Sequence, residues 1–441
     1  MKVAANIRSY MRFIRDALLT CLSILVLLLL VEGVLRVGGA RYTASFYTPE
    51  QARGYALRPG AEGWYTDENQ LYDRINSDGM PDREHLIERP EQTLRIAIIG
   101  SSEAASMEVP LEERFMAEVE RELTPVLAAK GWRPEILNFG EPGYGPAQEY
   151  LTLHDHVWKY QPQIVMFVLS TWSILKNTRE LDPGSPAGVP YFVFDKGKLV
   201  PDAETRARPP LSTRRLYWKK KTADCINGSA LLSLARAAAI NLPPRIAAAL
   251  GIRTHTHSKN LTPDFSKDWP YLTDLPQMQL SWAITDGLVD LMKQECDQHH
   301  AELWVVVTDM KMQTYVDVVK REEFRQQLGI DSLFKPEARM EKFASSRNIP
   351  AVLLAPILAE YSASHKVPLH GFFNTEVDDG HWNELGHRIV GQVLSERLLK
   401  SSEVLHGIMV TVALARDLKT QLANEPGCER NGSHIPGSAR R

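Results

Sequence analysis

Cysteine is scarce in this chain, whose 441 residues include only four cysteines, all far apart. None of them forms a C-x-x-C pair, which argues against a zinc site or a redox motif. The chain also has no excess of positive charge, since its formal net charge is -3. There is therefore no electrostatic case for binding nucleic acid. No G-x-G-x-x-G follows the first predicted strand, which excludes a nucleotide-binding Rossmann protein.

The positions of the cysteines limit the possible disulfides to one. Cys21 lies in an apolar segment, which leaves Cys225, Cys296 and Cys428. A bridge between Cys225 and Cys296 is one interpretation, and unpaired thiols are the favoured one. The hydrophobic fraction of 44% and the charged fraction of 24% are typical of a globular protein.

The N-terminus carries the longest apolar run of the chain. Basic residues precede the segment from Ala17 to Val31, and Glu32 interrupts it before it resumes as far as Leu35. This span approaches the ~20 residues that cross a bilayer, and the basic flank predicts a cytoplasmic N-terminus. A signal peptide cleaved near Gly38-Gly39-Ala40 is the alternative, but the run exceeds the usual length of a signal-peptide core. We therefore expect residues 1–40 to be an anchor in the inner (plasma) membrane, with the remainder extracytoplasmic.

Beyond the anchor, short apolar runs alternate with stretches of helical periodicity. Runs that are typical of buried parallel strands occupy residues 94–99, 135–139, 164–169, 302–308 and 351–354. Helical patterns occupy residues 111–130, 147–160, 280–299 and 384–399. This alternation predicts a doubly wound α/β sheet with helices on both faces. Ligands bind such sheets at the carboxyl ends of the strands.

Segments outside this alternation define the predicted organisation. Residues 41–93 form a lead-in without sustained periodicity, and residues 94–400 form the main domain. An insertion at 179–275 breaks the alternation and is a candidate lid. Residues 401–441 are expected to form a C-terminal helix and a disordered tail.

One serine and one histidine carry the candidate chemistry. Ser102 follows the first predicted strand in a tight Gly-Ser-Ser turn, and a serine becomes a strong nucleophile only beside a general base. His381, near the other end of the chain, is the candidate base. Asp378, three residues earlier, is placed to orient its ring, with Asp379 as the alternative. Capping of the following helix is another use for Asp379.

These residues lie within motifs that resemble the SGNH/GDSL hydrolase superfamily, in particular its membrane-anchored bacterial branch. The similar text covers residues 74–79, 100–102, 138–149 and 378–387. The resemblance implies a flavodoxin-like three-layer α/β/α sandwich with Ser102 as nucleophile and an Asp378–His381 pair. It also implies an oxyanion hole that includes the N–H groups of Ser102 and Gly143, with Gly140 as the alternative to Gly143.

The chain departs from the family pattern in two places. Ser101 stands where the family has aspartate, a residue that is not part of the triad. Residues 169–173 replace the Gly-x-Asn-Asp motif, so Thr171 or a neighbour occupies the place of an asparagine that donates to the oxyanion. Loss of one such donor typically costs ~10²–10³ in rate.

The resemblance therefore implies an extracytoplasmic serine esterase or O-acyl (acetyl) transferase that acts on an acyl ester or glycan of a surface polysaccharide. No cofactor is expected, and no metal, because the paired histidines near residues 154, 255 and 299 lack completing ligands. The rival hypothesis is a catalytically weak or inactive member that binds glycan or protein partners in envelope assembly. The acyl group, the acceptor and the oligomeric state stay open.

Overall fold

The computed structural model describes residues 2–38, 46–65, 67–183, 188–207, 218, 221–222, 225, 228–240, 269–372 and 374–410. The first helix, α1, spans Lys2–Val37. Within Tyr10–Val37, a stretch of 18 residues has a mean hydropathy of 2.7 and none of it is buried, so length and composition suit a membrane span. A signal sequence has the same properties.

The lead-in folds into two small antiparallel hairpins. β1 (Tyr47–Glu50) pairs with β2 (Gly54–Leu57), and β3 (Glu62–Tyr65) pairs with β4 (Leu71–Arg74). Strands of four residues are too short to produce the periodicity that would reveal them in the sequence. Apolar side chains of this segment pack against Ala105 and Met107. The hairpins are therefore built onto the segment that follows Ser102.

A five-stranded parallel sheet forms the centre of the molecule. The remaining strands are β5 (Thr93–Gly100), β6 (Arg133–Gly140), β7 (Ile164–Leu169), β8 (Phe192–Asp195), β9 (Lys198–Pro201), β10 (Glu302–Val307) and β11 (Ala351–Leu353). The order in the sheet is β11-β10-β7-β5-β6, and β8 and β9 form a separate hairpin in the insertion. All five runs predicted as sheet strands are confirmed. Their residues are apolar throughout because helices cover both faces of the sheet.

The helices after α1 are α2 (Ser102–Ala105), α3 (Phe115–Ala128), α4 (Pro146–Thr152), α5 (Ala203–Arg206), α6 (Ala230–Ile240), α7 (Pro276–Gln298), α8 (Lys311–Thr314), α9 (Val318–Leu328), α10 (Lys335–Ser346), α11 (Leu354–His365) and α12 (Glu384–Ser401). One core contains side chains of α7 and α10 against the sheet, and the other contains side chains of α3, α11 and α12. The predicted three-layer α/β/α fold is thus confirmed. The helix predicted over 147–160 is interrupted, because α4 continues as a π-helix (Leu153–Val157) and a 3-10 turn (Trp158–Tyr160).

Several predictions concern the periphery. Cys21, Cys225 and Cys296 are free thiols, so the alternative of a Cys225–Cys296 bridge is excluded and unpaired thiols are correct for these three. Residues 403–410 are helical. Cys428 and the tail from 411, together with residues 208–217 and 241–268 of the insertion, lie outside the described residues.

Candidate active site

Ser102 lies at the carboxyl end of the central strand β5. The chain leaves the strand at Gly100, turns at Ser101 and enters α2 with Ser102 as its first residue. A β-carbon on Gly100 would lie 2.6 Å from the carbonyl oxygen of Val168, so this turn requires glycine. Ser102 is thereby held at the sheet edge where ligands of this fold bind.

His381 contacts Ser102 across the edge of the sheet. Its Nε2 atom lies 2.7 Å from the Ser102 hydroxyl oxygen, a hydrogen-bond distance, although 279 positions separate the residues in sequence. The imidazole can therefore accept the serine proton directly. This contact brings together the two residues that the sequence pairs, and their roles as nucleophile and base stay a prediction.

A buried aspartate at the end of β10 anchors the loop that carries His381. Asp309 accepts hydrogen bonds from Trp382 Nε1 (2.7 Å) and Thr314 Oγ1 (2.6 Å) and lies 2.7 Å from His370 Nε2. The other ring nitrogen of His370 lies 2.9 Å from the carbonyl oxygen of Gly380. Burial alone would lower the pKa of His370, but Asp309 outweighs it and the pKa is raised. The residues on either side of His381 are thus fixed to the sheet.

The carboxylate against His381 belongs to Glu68, at the turn between β3 and β4. Its Oε1 lies 2.9 Å from His381 Nδ1, which is ion-pair range, although the ring N–H is not aligned with it as a straight hydrogen bond. Its Oε2 accepts the backbone N–H of His381 at 2.7 Å. A β-carbon on Gly380 would lie 2.2 Å from Glu68 Oε2. The absence of a side chain at Gly380 therefore leaves room for the Glu68 carboxylate.

The expected partner Asp378, and its alternative Asp379, do not contact His381, and these assignments need correction. Asp378 adopts a left-handed backbone conformation (φ 64°), and its Oδ2 accepts the N–H of Val316 at 2.9 Å. Asp379 is paired with Lys311, at 3.0 Å between Oδ2 and Nζ, and its Oδ1 accepts the N–H of Gly380. Both carboxylates serve the loop, so the spacing of three residues was misleading.

A second glutamate, Glu108, lies behind the same nitrogen. Its Oε1 is 3.5 Å from His381 Nδ1, and its Oε2 is buried without a hydrogen-bond partner in the described part of the chain. Burial raises the pKa of Glu108 to about 7. Burial alone would lower the pKa of His381, but Glu108, Glu68 and Glu103 raise it well above its ordinary value. The imidazole therefore holds its proton to a higher pH than a free histidine does.

The candidate oxyanion donors differ in whether the donating group is already hydrogen-bonded to another part of the protein. The N–H of Gly140 donates to Asn138 Oδ1 at 2.8 Å, which removes it from consideration. Gly143 has φ 81°, and no hydrogen bond of its N–H occurs among the described residues. Thr171 is fully buried and its hydroxyl has no partner within the described ranges. Gly143 is thus the better of the two glycines.

A third acidic side chain lies beside the nucleophile itself. Glu103 Oε2 accepts the hydroxyl of Ser101 at 2.6 Å and lies 3.4 Å from the hydroxyl oxygen of Ser102. Its Oε1 lies 3.4 Å from the hydroxyl of Ser170 at the end of β7. Both serines at the departures from the family pattern, positions 101 and 170, thus contact this carboxylate.

Known proteins that are similar to this chain occur among solved structures. No protein-family model matches the chain, and no curated protein matches it. Among solved structures, it is similar to an acetyl xylan esterase at 10% identity, covering 69% of this chain and 98% of that chain with a TM-score of 0.33. A lipase/acylhydrolase from Enterococcus faecalis gives 10% identity, 69% and 95% coverage and a TM-score of 0.31. A GDSL-like lipase from Bacteroides thetaiotaomicron gives 11% identity, with 69% of this chain and 88% of that chain covered and a TM-score of 0.27.

Likeness at this level carries no conclusion about the superfamily, the activity or the substrate of this chain.

Proposed function

We propose that this chain is a membrane-anchored serine esterase or O-acyl transferase that works outside the cytoplasmic membrane. The observation that supports the proposal is the 2.7 Å contact between the Ser102 hydroxyl and His381 Nε2. Glu68 lies on the other ring nitrogen at 2.9 Å. Acyl transfer needs a nucleophile, a general base within hydrogen-bond distance of it and a carboxylate that orients the base.

The proposed reaction begins when Ser102 attacks the carbonyl carbon of an ester. The new C–O bond forms as the proton moves to His381 Nε2 and the carbonyl electrons move to oxygen. The N–H groups of Ser102 and Gly143 would stabilise that oxyanion. The intermediate collapses, the ester C–O bond breaks, and His381 protonates the departing alcohol. Water or a sugar hydroxyl then takes the acyl group from Ser102 by the reverse sequence.

In this proposal Glu68 takes the role that the sequence had assigned to Asp378. Its carboxylate fixes the ring through Nδ1 and stabilises the imidazolium that forms during attack. Contact with the backbone N–H of His381 adds a second point of attachment. A carboxylate from outside the last motif can do this because only geometry, and not sequence position, defines the role.

The location and the substrate are further parts of the proposal. The apolar helix over Tyr10–Val37 is long enough to hold the domain at a bilayer. The basic N-terminal flank predicts that the domain faces outward. The resemblance to anchored hydrolases suggests acyl esters of a surface polysaccharide as the substrate.

The direct test is covalent labelling of the full chain in detergent micelles. A fluorophosphonate probe should form one adduct, and peptide mass mapping should assign it to Ser102. Turnover of p-nitrophenyl acetate should disappear in proportion to labelling. A folded protein that neither labels nor turns over would exclude the enzyme and favour binding of glycan or protein partners.

The glutamate pair makes a specific prediction about pH. Only neutral His381 can accept the serine proton, so kcat/KM should rise as pH increases through its raised pKa. Glu108→Gln removes one of the charges that raise this pKa, so the rising limb should move to lower pH. Full pH profiles of kcat/KM would measure the shift.

Glu113→Gln is the matched control for that change. Glu113 is exposed and five residues away, and its replacement should leave the limb unmoved. Coincident profiles for wild type and Glu108→Gln would show that Glu108 does not act on His381.

A further inference from the structure

Two side chains donate hydrogen bonds to the loop at Gly143, one to the carbonyl oxygen of Pro142 and one to that of Gly143 itself. The hydroxyl of Tyr55, from β2, donates to the carbonyl oxygen of Pro142 at 3.3 Å. The ammonium of Lys176 donates to the carbonyl oxygen of Gly143. Two consecutive carbonyl groups of the loop are therefore held from outside.

Planarity of the peptide bond turns these contacts into control of the oxyanion donor. The carbonyl of Pro142 and the N–H of Gly143 belong to one peptide group and point in opposite directions. Holding that carbonyl on Tyr55 therefore aims the Gly143 N–H away from Tyr55. Lys176 fixes the next peptide group, so the loop cannot rotate about Gly143 without breaking a contact.

The chain around Lys176 is built to keep the ammonium in this place. Lys176 lies in a 3-10 turn, Ser173–Asn177, which begins at the last of the residues that replace Gly-x-Asn-Asp. Asn177 anchors the turn by donating to Ser281 O at 2.9 Å and Thr285 Oγ1 at 2.8 Å. A β-carbon on Gly145 would lie 2.7 Å from the β-carbon of Lys176, so this glycine makes room for the lysine stem.

Three acidic groups and an aromatic ring surround the ammonium of Lys176. Glu149 is buried, and neither of its carboxyl oxygens has a hydrogen-bond partner in the described residues. Burial raises the pKa of Glu149 to about 8. Burial also lowers the pKa of Lys176, and Asp182, Glu149 and Glu103, which contacts the serines, oppose that shift. The ammonium also lies 5.2 Å from the centre of the Trp172 ring, in cation–π range.

We propose that Lys176 replaces the missing asparagine, by holding the Gly143 peptide group in position and by placing positive charge beside the developing oxyanion. This inference rests on the proposed function. Lys176 acts through Gly143 and is a positioning residue. It offsets the negative charge that Glu103 places beside the nucleophile, and a charge that acts at the transition state raises kcat.

The test compares Lys176→Met and Lys176→Arg in the full chain, with p-nitrophenyl acetate as substrate. Lys176→Met should lower kcat about 10- to 100-fold with little change in KM, somewhat less than loss of a direct oxyanion donor. Lys176→Arg, which keeps the charge, should recover most of this loss. Inhibition by phenylboronic acid, which forms a tetrahedral adduct with serine, should weaken in parallel with kcat for Lys176→Met.

Lys293→Met is the matched control, because Lys293 pairs with Asp297 on the surface of α7. It should retain wild-type kcat, and all variants should show the wild-type unfolding temperature. The inference is overturned if Lys176→Met keeps kcat within about twofold, or if arginine restores no more than methionine does. Absence of turnover and labelling in the wild type would instead remove the proposed function itself.

Discussion

Ser102→Ala is expected to remove fluorophosphonate labelling and to lower ester turnover by about 10⁴- to 10⁶-fold. Alanine has no oxygen to attack the carbonyl, and any residual rate would come from binding and the oxyanion hole alone. The fold should persist because Ser102 begins a short helix whose Ala104 and Ala105 are buried and unchanged. Initial rates and labelling of purified protein measure the effect.

Ser101→Ala provides the matched control in the same turn. The Ser101 hydroxyl donates to Glu103 and makes no hydrogen bond with His381 among the described residues. This variant should keep the label and lose at most about tenfold in rate, because the hydrogen bond that it removes, to the Glu103 carboxylate, does not include the reacting atoms. Equal loss in both variants would mean that the turn, rather than the Ser102 hydroxyl, had been disrupted.

Glu68→Gln is expected to lower kcat by about 10³- to 10⁴-fold, the effect of neutralising the carboxylate of a catalytic triad. Glutamine keeps the size of the side chain but cannot stabilise the imidazolium, and its amide can favour the wrong tautomer. Steady-state kinetics at several pH values would separate this loss from a simple shift of pKa.

Asp378→Asn tests the competing assignment. Asp378 accepts the N–H of Val316, and an asparagine oxygen can keep that hydrogen bond, so kcat should fall by no more than about tenfold. If Asp378→Asn lost as much activity as Glu68→Gln did, the carboxylate of the triad would have to be reassigned. The carboxylate would also have to be reassigned if Glu68→Gln kept nearly wild-type activity.

The sequence predicted the sheet because its physics is local. Strands covered by helices on both faces are apolar at every position, and every residue of Thr93–Gly100 is indeed buried. Ser102 follows the end of β5 directly, at the edge where ligands of such sheets bind. His381 lies beyond α11 and follows no strand, so its pairing with Ser102 is predicted from the motif resemblance and not from the sheet.

The acidic partner could not be predicted in the same way. Glu68 lies 313 positions from His381, in a turn between strands of four residues that leave no periodic signal. Only tertiary packing brings this turn to the edge of the sheet. The spacing of Asp378 and His381 suggested a local answer, but the left-handed backbone of Asp378 is used elsewhere in the loop. Lys176 belongs to no motif, and only its contact with Gly143 draws attention to it.

The hairpins before β5 also change where the working unit of this protein begins. They contribute Glu68, which contacts His381, and Tyr55, which contacts the loop of Gly143. They are also the first described structure after the apolar helix α1. A fragment that starts at residue 93 would retain all five strands of the sheet with Ser102 and His381, but would lack Glu68 and Tyr55. It would also leave the buried Arg95 and Arg114 without the carbonyl and carboxylate oxygens that they bind before β5. The shortest unit that can carry the proposed chemistry therefore begins with the hairpins and not with the sheet.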